Sequence, residues 1–339
     1  MKPPSNILII NFKYLGDLIV CTPAIRAIRK SFPGSKITLL ARKEYSSVLR
    51  GNPNLDEIIW FDSAAKKLQG FKKILAELNF IKLLRKKKFD CVISLQSGDR
   101  YTQWAYLTGA NKRVGPQKQK LNFLLTDKVF VFEDTISYRE YYLRIAESAG
   151  AIRVGDYLEY YPDKELEEWK SEFLKSNSLE ETSGIIAIHP GASEPTKIWP
   201  LGKYLEVINQ LLAKGDRKII LLVGPAEKQL VDKNLLASNK NIVLCDTSDN
   251  IHKLGAILEK SKLLICNDSG VRHLAAALKI KTITLFPEDK IDSWKFYTDE
   301  EKQYFIVGKR NLDDPANSYL DGINVSEVIQ KAEELLNDK

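Results

Sequence analysis

Nine short runs of Ile, Val and Leu, each closed by turn residues and separated by helical patterns, constrain this chain more than any other feature. The first four are "NILIINF", "KITLLAR", "EIIWF" and "CVISL", starting at Asn6, Lys36, Glu57 and Cys91. The pattern lapses into charged residues between Tyr157 and Gly184, then restarts as "GIIAIHP", "KIILLVG", "NIVLC", "KLLICND" and "TITLFP". Strands covered on both faces read as continuous apolar runs, and parallel ones need crossover helices between them. Such helices are visible as "SYREYYLRIAESAG", with Gly150 as a stop, "PLGKYLEVINQLLAKG" and "NIHKLGAILEKS". Two successive α/β units follow, and 339 residues suffice for both. The linker is expected near Pro162, giving lobes 1–162 and 163–320, with the last helix, in 321–339, packing back on the first lobe.

Several classes drop out on composition. No segment approaches the roughly 20 consecutive apolar residues of a membrane span. The opening "MKPPSNILIINFK" has too short an apolar run for a signal peptide, so a cytoplasmic location is expected. Cys21, Cys91, Cys245 and Cys266 show no C-x-x-C spacing and read as small buried hydrophobes. Only His189, His252 and His273 are present, without paired-His spacing, so no metal site is expected. The net charge of +7 is concentrated: between Lys66 and Lys88 nine basic residues face Glu77 alone.

Four strand-to-helix turns carry chemistry-bearing residues. In "NFKYLGDLIVCTP", Asp17 either caps a helix starting there or stands on the turn before a helix capped by Thr22 with Pro23 at its first position. Either way it lies at the carboxyl end of a strand, where open α/β sheets bind ligands. In "HPGASEPTKIWP", Ser193, Thr196 and Lys197 offer hydroxyls and an ammonium beside a Gly-bearing turn, the parts of a phosphate site. The spacing is not that of a P-loop, and a solvated loop with Pro200 opening the next helix is the plain alternative. In "CNDSGVRHLAAAL", a helix begins after Asp268, so the N–H groups of Ser269, Gly270 and Val271 lack intrahelical partners and suit an anion. His273 lies one turn further as an added donor or a core residue. In "LLVGPAEKQLV", Glu227 complements a helix amino terminus or accepts from ribose hydroxyls.

The basic stretch "KKLQGFKKILAELNFIKLLRKKKF" repeats Phe71, Ile74, Leu75, Leu78, Ile81 and Leu84 at helical spacing. It reads as a lysine-rich helix with one core stripe, or as a landing patch for anionic lipid. No zinc-finger, helix-turn-helix or aromatic RNA-binding motif accompanies it, and no nucleic-acid partner is expected.

Taken together, "LGDLIVCTPAIRAI", "HPGASEPTKIWP" and "DTSDNIHKLGAILEKSKLLICNDSGVRHLAAAL", in this order, resemble glycosyltransferase family 9, the heptosyltransferases of lipopolysaccharide assembly. The resemblance implies an α/β GT-B fold, two Rossmann-like lobes with parallel sheets facing across a cleft. It implies inverting, metal-independent transfer from a nucleotide-activated sugar such as ADP-heptose to a lipid-linked glycan, with no cofactor, by a protein at the inner leaflet of the bacterial inner membrane. Asp17 corresponds to the family's general base, with Gly16 and Lys13 on the acceptor side. Lys197 corresponds to the lysine that binds the donor's phosphates, and Asp268, Ser269, Gly270 and His273 to the donor pocket. Ser193, Thr196 and Glu227 join the donor side on the reading above. The chain departs from the family where it has Asn11-Phe12-Lys13-Tyr14 before L-G-D, "LFPEDKIDSWKFY" after the last strand run, and Arg272 in place of a neutral residue.

Other functions of such a chain leave distinguishable traces. A nicotinamide-dependent dehydrogenase would carry G-x-G-x-x-G after the first strand, and this chain does not. A GT-B sugar-nucleotide epimerase would need no acceptor, and a non-catalytic nucleotide-sugar-binding protein would show no turnover.

Overall fold

The computed structural model describes residues 3–61, 70–132, 136–180, 184–224, 227, 239–294, 302–309 and 319–338. The chain divides into two compact units, Met1–Tyr161 with Asp292–Trp294, and Pro162–Ile291 with Lys295–Lys339.

The first unit runs β1 (Asn6–Ile10), α1 (Leu15–Val20), α2 (Thr22–Ser31), β2 (Lys36–Arg42), one-turn α3 (Lys43–Ser46), β3 (Glu57–Phe61), α4 (Gly70–Lys86), β4 (Cys91–Ser94), α5 (Asp99–Leu107), β5 (Lys112–Pro116), β6 (Asp127–Val129) and α6 (Tyr138–Ser148). Its sheet has the order β3-β2-β1-β4-β5-β6, and every pair is parallel. Ile7 of β1 sits between Ile37 and Cys91, and Ile7 to Ile10 are wholly buried, which is why this strand is apolar without alternation. Strand order reverses between β1 and β4, so the loop after Ile10 opens at the switch point where such sheets bind ligands. On one face Trp104 packs edge-on against Phe12 and Phe80, in a cluster with Leu8, Leu40, Leu84 and Val92. Truncating such a side chain to alanine costs about 3–5 kcal/mol. Helix α6 starts where Ser137 Oγ accepts from Glu140 N at 3.3 Å and stops at Gly150, whose φ of +97° few other residues adopt readily.

The second unit runs α7 (Glu167–Ser176), β7 (Ile185–His189), α8 (Leu201–Leu212), β8 (Lys218–Val223), β9 (Ile242–Asp246), α9 (His252–Leu258), β10 (Leu263–Asn267), α10 (Gly270–Ala277), β11 (Lys281–Pro287), one-turn α11 (Ile291–Trp294), β12 (Gln303–Gly308) and α12 (Val325–Asn337). Of α11, Ile291 belongs to this unit, whereas Asp292–Trp294 belong to the first. The sheet order β12-β11-β10-β7-β8-β9, again all parallel, repeats the first topology. His189 pairs in register with Cys266, so the turns after β7 and β10 are neighbours at this sheet's switch point.

Three expectations need correction. Helix α12, expected to pack back on the first lobe, puts its apolar face, Val328, Ile329, Ala332 and Leu335, into the second unit's own core with Val207, Leu211 and Ile188. A bidentate pair holds it there, Arg217 Nη1 and Nη2 lying 2.6 and 2.7 Å from Glu333 Oε1 and Oε2. Pro200 is the residue before α8, and the helix opens at Leu201. In α4 the expected core stripe is only partly inside: Leu84 is buried together with Phe80, whereas Phe71, Ile74, Leu75 and Leu78 are exposed. Lys66 and Lys67 of the basic stretch lie outside the described residues.

All four cysteines are buried and free. Burial pushes each thiol up to about 12, so none is a reactive thiolate at neutral pH. Among the described residues no helix is long and apolar enough to cross a membrane.

Candidate functional site

In the first unit the ligand end of β1 leads into Asp17. This residue is neither the start of its helix nor on the turn before one; it is the third residue of α1, and α2 follows from Thr22 with Cys21 as its cap. Asp17 is 7% exposed, yet its carboxylate is well supplied with partners. The hydroxyl of Tyr142, a buried residue of α6, donates to Oδ1 at 2.8 Å. Tyr14 N donates to Oδ2 at 3.4 Å, closing the amino end of α1, and Lys13 Nζ lies 3.8 Å from Oδ1. Capping and fixing the carboxylate are thus one arrangement. Lys13 also rests 4.3 Å above the Tyr138 ring, and Gly16 is buried in the first turn. The result is a carboxylate held in a fixed orientation beside one ammonium, suited to accepting a proton.

In the second unit the turns after β7 and β10 meet. Lys197 Nζ lies 3.3 Å from Asp268 Oδ2 and 3.2 Å from Glu194 Oε1. Asp268 Oδ1 accepts from Arg272 Nε at 2.8 Å, so one carboxylate joins two cations that belong to different segments. Breaking a buried pair of this kind by removing one partner costs about 3–5 kcal/mol. Ser269 precedes α10 as its cap residue, and its Oγ is buried with no hydrogen-bond partner among the described residues. The N–H groups that open α10 at Gly270 therefore start near a lysine and a hydroxyl that has no partner among the described residues, the parts of an anion site. Thr196 is half-buried in the 3-10 turn Pro195–Lys197, and Ser193 is exposed on the loop. His273 is buried; burial, then the charge of Arg272, holds its imidazole well below the ordinary value and hence neutral.

Glu227 closes the other side of this turn. Its Oε2 accepts from Gly224 N at 2.8 Å, and its Oε1 sits over Gly191, where an added Cβ would come within 1.9 Å. Burial lowers the pKa of His189, against the opposing pull of the Glu227 carboxylate. The helix expected after Gly224 falls outside the described residues, apart from Glu227 itself.

Three important residues are absent from the sequence-based site. Tyr142 is 125 positions from Asp17, and only the fold brings them together. Arg272, noted as a departure, is 0% exposed and is the main partner of Asp268. Asn267 ties both turns: its Oδ1 accepts from Trp199 N at 3.3 Å and Tyr204 Oη at 2.8 Å, and its Nδ2 donates to Pro190 O at 2.6 Å. An amide at the end of the apolar run "LLICN" was its available sign, since a buried amide must find partners.

Comparison with known proteins finds relatives over most of the chain. The family model for glycosyltransferase family 9 (heptosyltransferase) matches residues 78–314. Lipopolysaccharide heptosyltransferase 3 of Escherichia coli (strain K12) is 25% identical over 346 residues, covering 96% of both chains. Among solved structures, the glycosyl transferase family 9 protein from Veillonella parvula DSM 2008 matches with a TM-score of 0.84 at 22% identity, over 98% of this chain and 97% of that one. E. coli heptosyltransferase WaaC with ADP-2-deoxy-2-fluoro heptose matches with a TM-score of 0.75 at 19% identity, over 97% of this chain and 99% of that one.

Proposed function

The chain belongs to glycosyltransferase family 9, with the two Rossmann-like lobes of the GT-B fold, and from that premise we propose that it transfers heptose, with inversion, from ADP-heptose to a lipid-linked lipopolysaccharide core. That it is a glycosyltransferase follows from the family. The donor and acceptor are inferred from the relatives' names, one of which was solved with an ADP-heptose analogue.

In this reading Asp17 takes the proton of the acceptor hydroxyl as its oxygen attacks the anomeric carbon. The bond from that carbon to the diphosphate oxygen breaks, and ADP leaves with the extra charge. Tyr142 keeps Oδ1 engaged, so the carboxylate is oriented before the acceptor arrives. On the donor side Lys197 and the N–H groups opening α10 stabilise the charge developing on the diphosphate, and Ser269 Oγ supplies a further donor. Glu227 accepts from the ribose hydroxyls. Ser193 and Thr196 border the phosphates, and neutral His273 supports the start of α10 from inside. Lys197 and the N–H groups opening α10 are the parts of this donor set that would face the diphosphate's charge in a reaction run without a metal ion. Gly16 and Lys13 lie on the acceptor side with Asp17.

The observation that carries the proposal is the Lys197–Asp268 pair, because it joins two motifs 71 positions apart at one switch point. The test is transfer by the purified protein, with ADP-heptose and a heptose-bearing core acceptor. ADP release that requires both substrates is expected; altered donor sugar formed without acceptor would make the protein an epimerase instead.

A further inference from the structure

Helix α4 turns one apolar face inward and another outward. Phe80 and Leu84 are buried, while Phe71, Ile74, Leu75 and Leu78 are 76, 56, 44 and 49% exposed. These four fall at i, i+3, i+4 and i+7, one continuous row along the helix. The same face continues toward the carboxyl end as Lys82 and Arg85, both exposed, with exposed Lys86 beside them. The only acid of the helix, Glu77, lies on another side, 2.5 Å from Arg100. The outward face is therefore apolar over its first two turns and cationic after them.

We propose that this face docks the protein on an anionic phospholipid bilayer, with the apolar row seated among the headgroups and the basic residues on lipid phosphates. An exposed row of four large apolar side chains marks an interaction surface rather than a solvated one. Low acidity, a basic flank and an apolar row describe a helix that lies in a membrane interface. Charge decides the partner: the basic residues between Lys66 and Lys88 account for the whole net positive charge of the chain, so attraction to an anionic surface concentrates here. A second copy of the chain presenting the same face would offer Lys82, Arg85 and Lys86 no carboxylate, since Glu77, the acid of this helix, lies on another side and pairs with Arg100. Docking deepens the reading of a lipid-linked acceptor but requires no transfer step, so either can fail while the other stands.

The experiment is sedimentation of the full chain with vesicles of phosphatidylglycerol and phosphatidylethanolamine, and with vesicles of phosphatidylcholine alone. Pelleting with the anionic vesicles is expected, at least ten-fold weaker with phosphatidylcholine and falling as salt rises. F71S/L78S and K82E/R85E should each lower it at least ten-fold with unchanged circular dichroism. F71W should gain quenching by brominated lipid, relative to the parent protein, on anionic vesicles only. Pelleting that both double variants leave intact would overturn the proposal. So would light scattering showing that F71S/L78S splits a dimer while vesicle binding persists, which would give the face to a second copy.

Discussion

Replacing Gly191 by alanine separates fold from function on the donor side. A Cβ there would lie 1.9 Å from Glu227 Oε1, 2.4 Å from its Cδ and 2.7 Å from its Cγ, distances no side chain tolerates. What it meets is the end of a flexible glutamate rather than backbone, so the glutamate swings away and the sheet stands. The swing breaks the 2.8 Å hydrogen bond from Gly224 N and moves the carboxylate away from where it is proposed to accept from the ribose. A hydrogen bond to a charged group contributes about 1.5–3 kcal/mol, so losing one ribose contact should weaken ADP binding by roughly ten- to a hundred-fold. Titration calorimetry with ADP at fixed salt measures this, with Glu227→Ala and the double variant alongside. Once Glu227 is gone nothing remains to collide, so Gly191→Ala should add less than about two-fold in that background. ADP binding by Gly191→Ala at the parent affinity, or effects that simply multiply in the double variant, would refute the reasoning.

Tyr142→Phe removes the hydroxyl on Asp17 Oδ1 and nothing from the donor side; kcat should fall about ten-fold with ADP affinity unchanged, and an unaltered kcat would remove Tyr142 from the account. His189 and His273 are both held below the ordinary imidazole pKa by burial. The unfolded chain therefore binds more protons than the folded one below about pH 6.5, and stability is lost as pH falls from about 7 to 5, by at most about 1.4 kcal/mol per pH unit for each histidine. Thermal melts should show this slope, reduced in His273→Gln, and an identical slope in that variant would contradict it. The carboxylates lowered by ion pairing, such as Glu140 and Glu333, act in a separate window, below about pH 4.5.

The strands most plainly legible in the sequence are those with both faces covered: β1, β2, β7 and β10 show their burial as near-continuous apolar runs. Strands β5 "KRVGP" and β6 "DKV" escape notice because they are short, carry charge and lie toward a sheet edge. Edge strand β12 "QYFIVG" has only three of six residues buried. Periodicity in α4 shows that apolar residues share a face, but cannot say whether that face is covered; the structure covers Phe80 and Leu84 and leaves Phe71 to Leu78 outside. At the site, turn residues with free N–H groups were visible locally. Tyr142 and Arg272 were not, because their roles depend on contacts: one made across 125 positions, the other on an inward side of α10 that a lone arginine does not advertise. Asp17 was misplaced by part of a turn because Leu15 and Gly16 give no start signal; the N–H of Tyr14 and the Asp17 carboxylate supply it together.

The most direct measurement is single-turnover transfer by Asp17→Asn, a change that keeps shape and removes the base. With saturating ADP-heptose and acceptor the rate should fall by about 10²–10⁴, while calorimetry returns the parent affinity for ADP. Transfer within ten-fold of the parent rate would contradict the assignment of Asp17. An equal loss of ADP affinity would place the carboxylate in the donor grip instead.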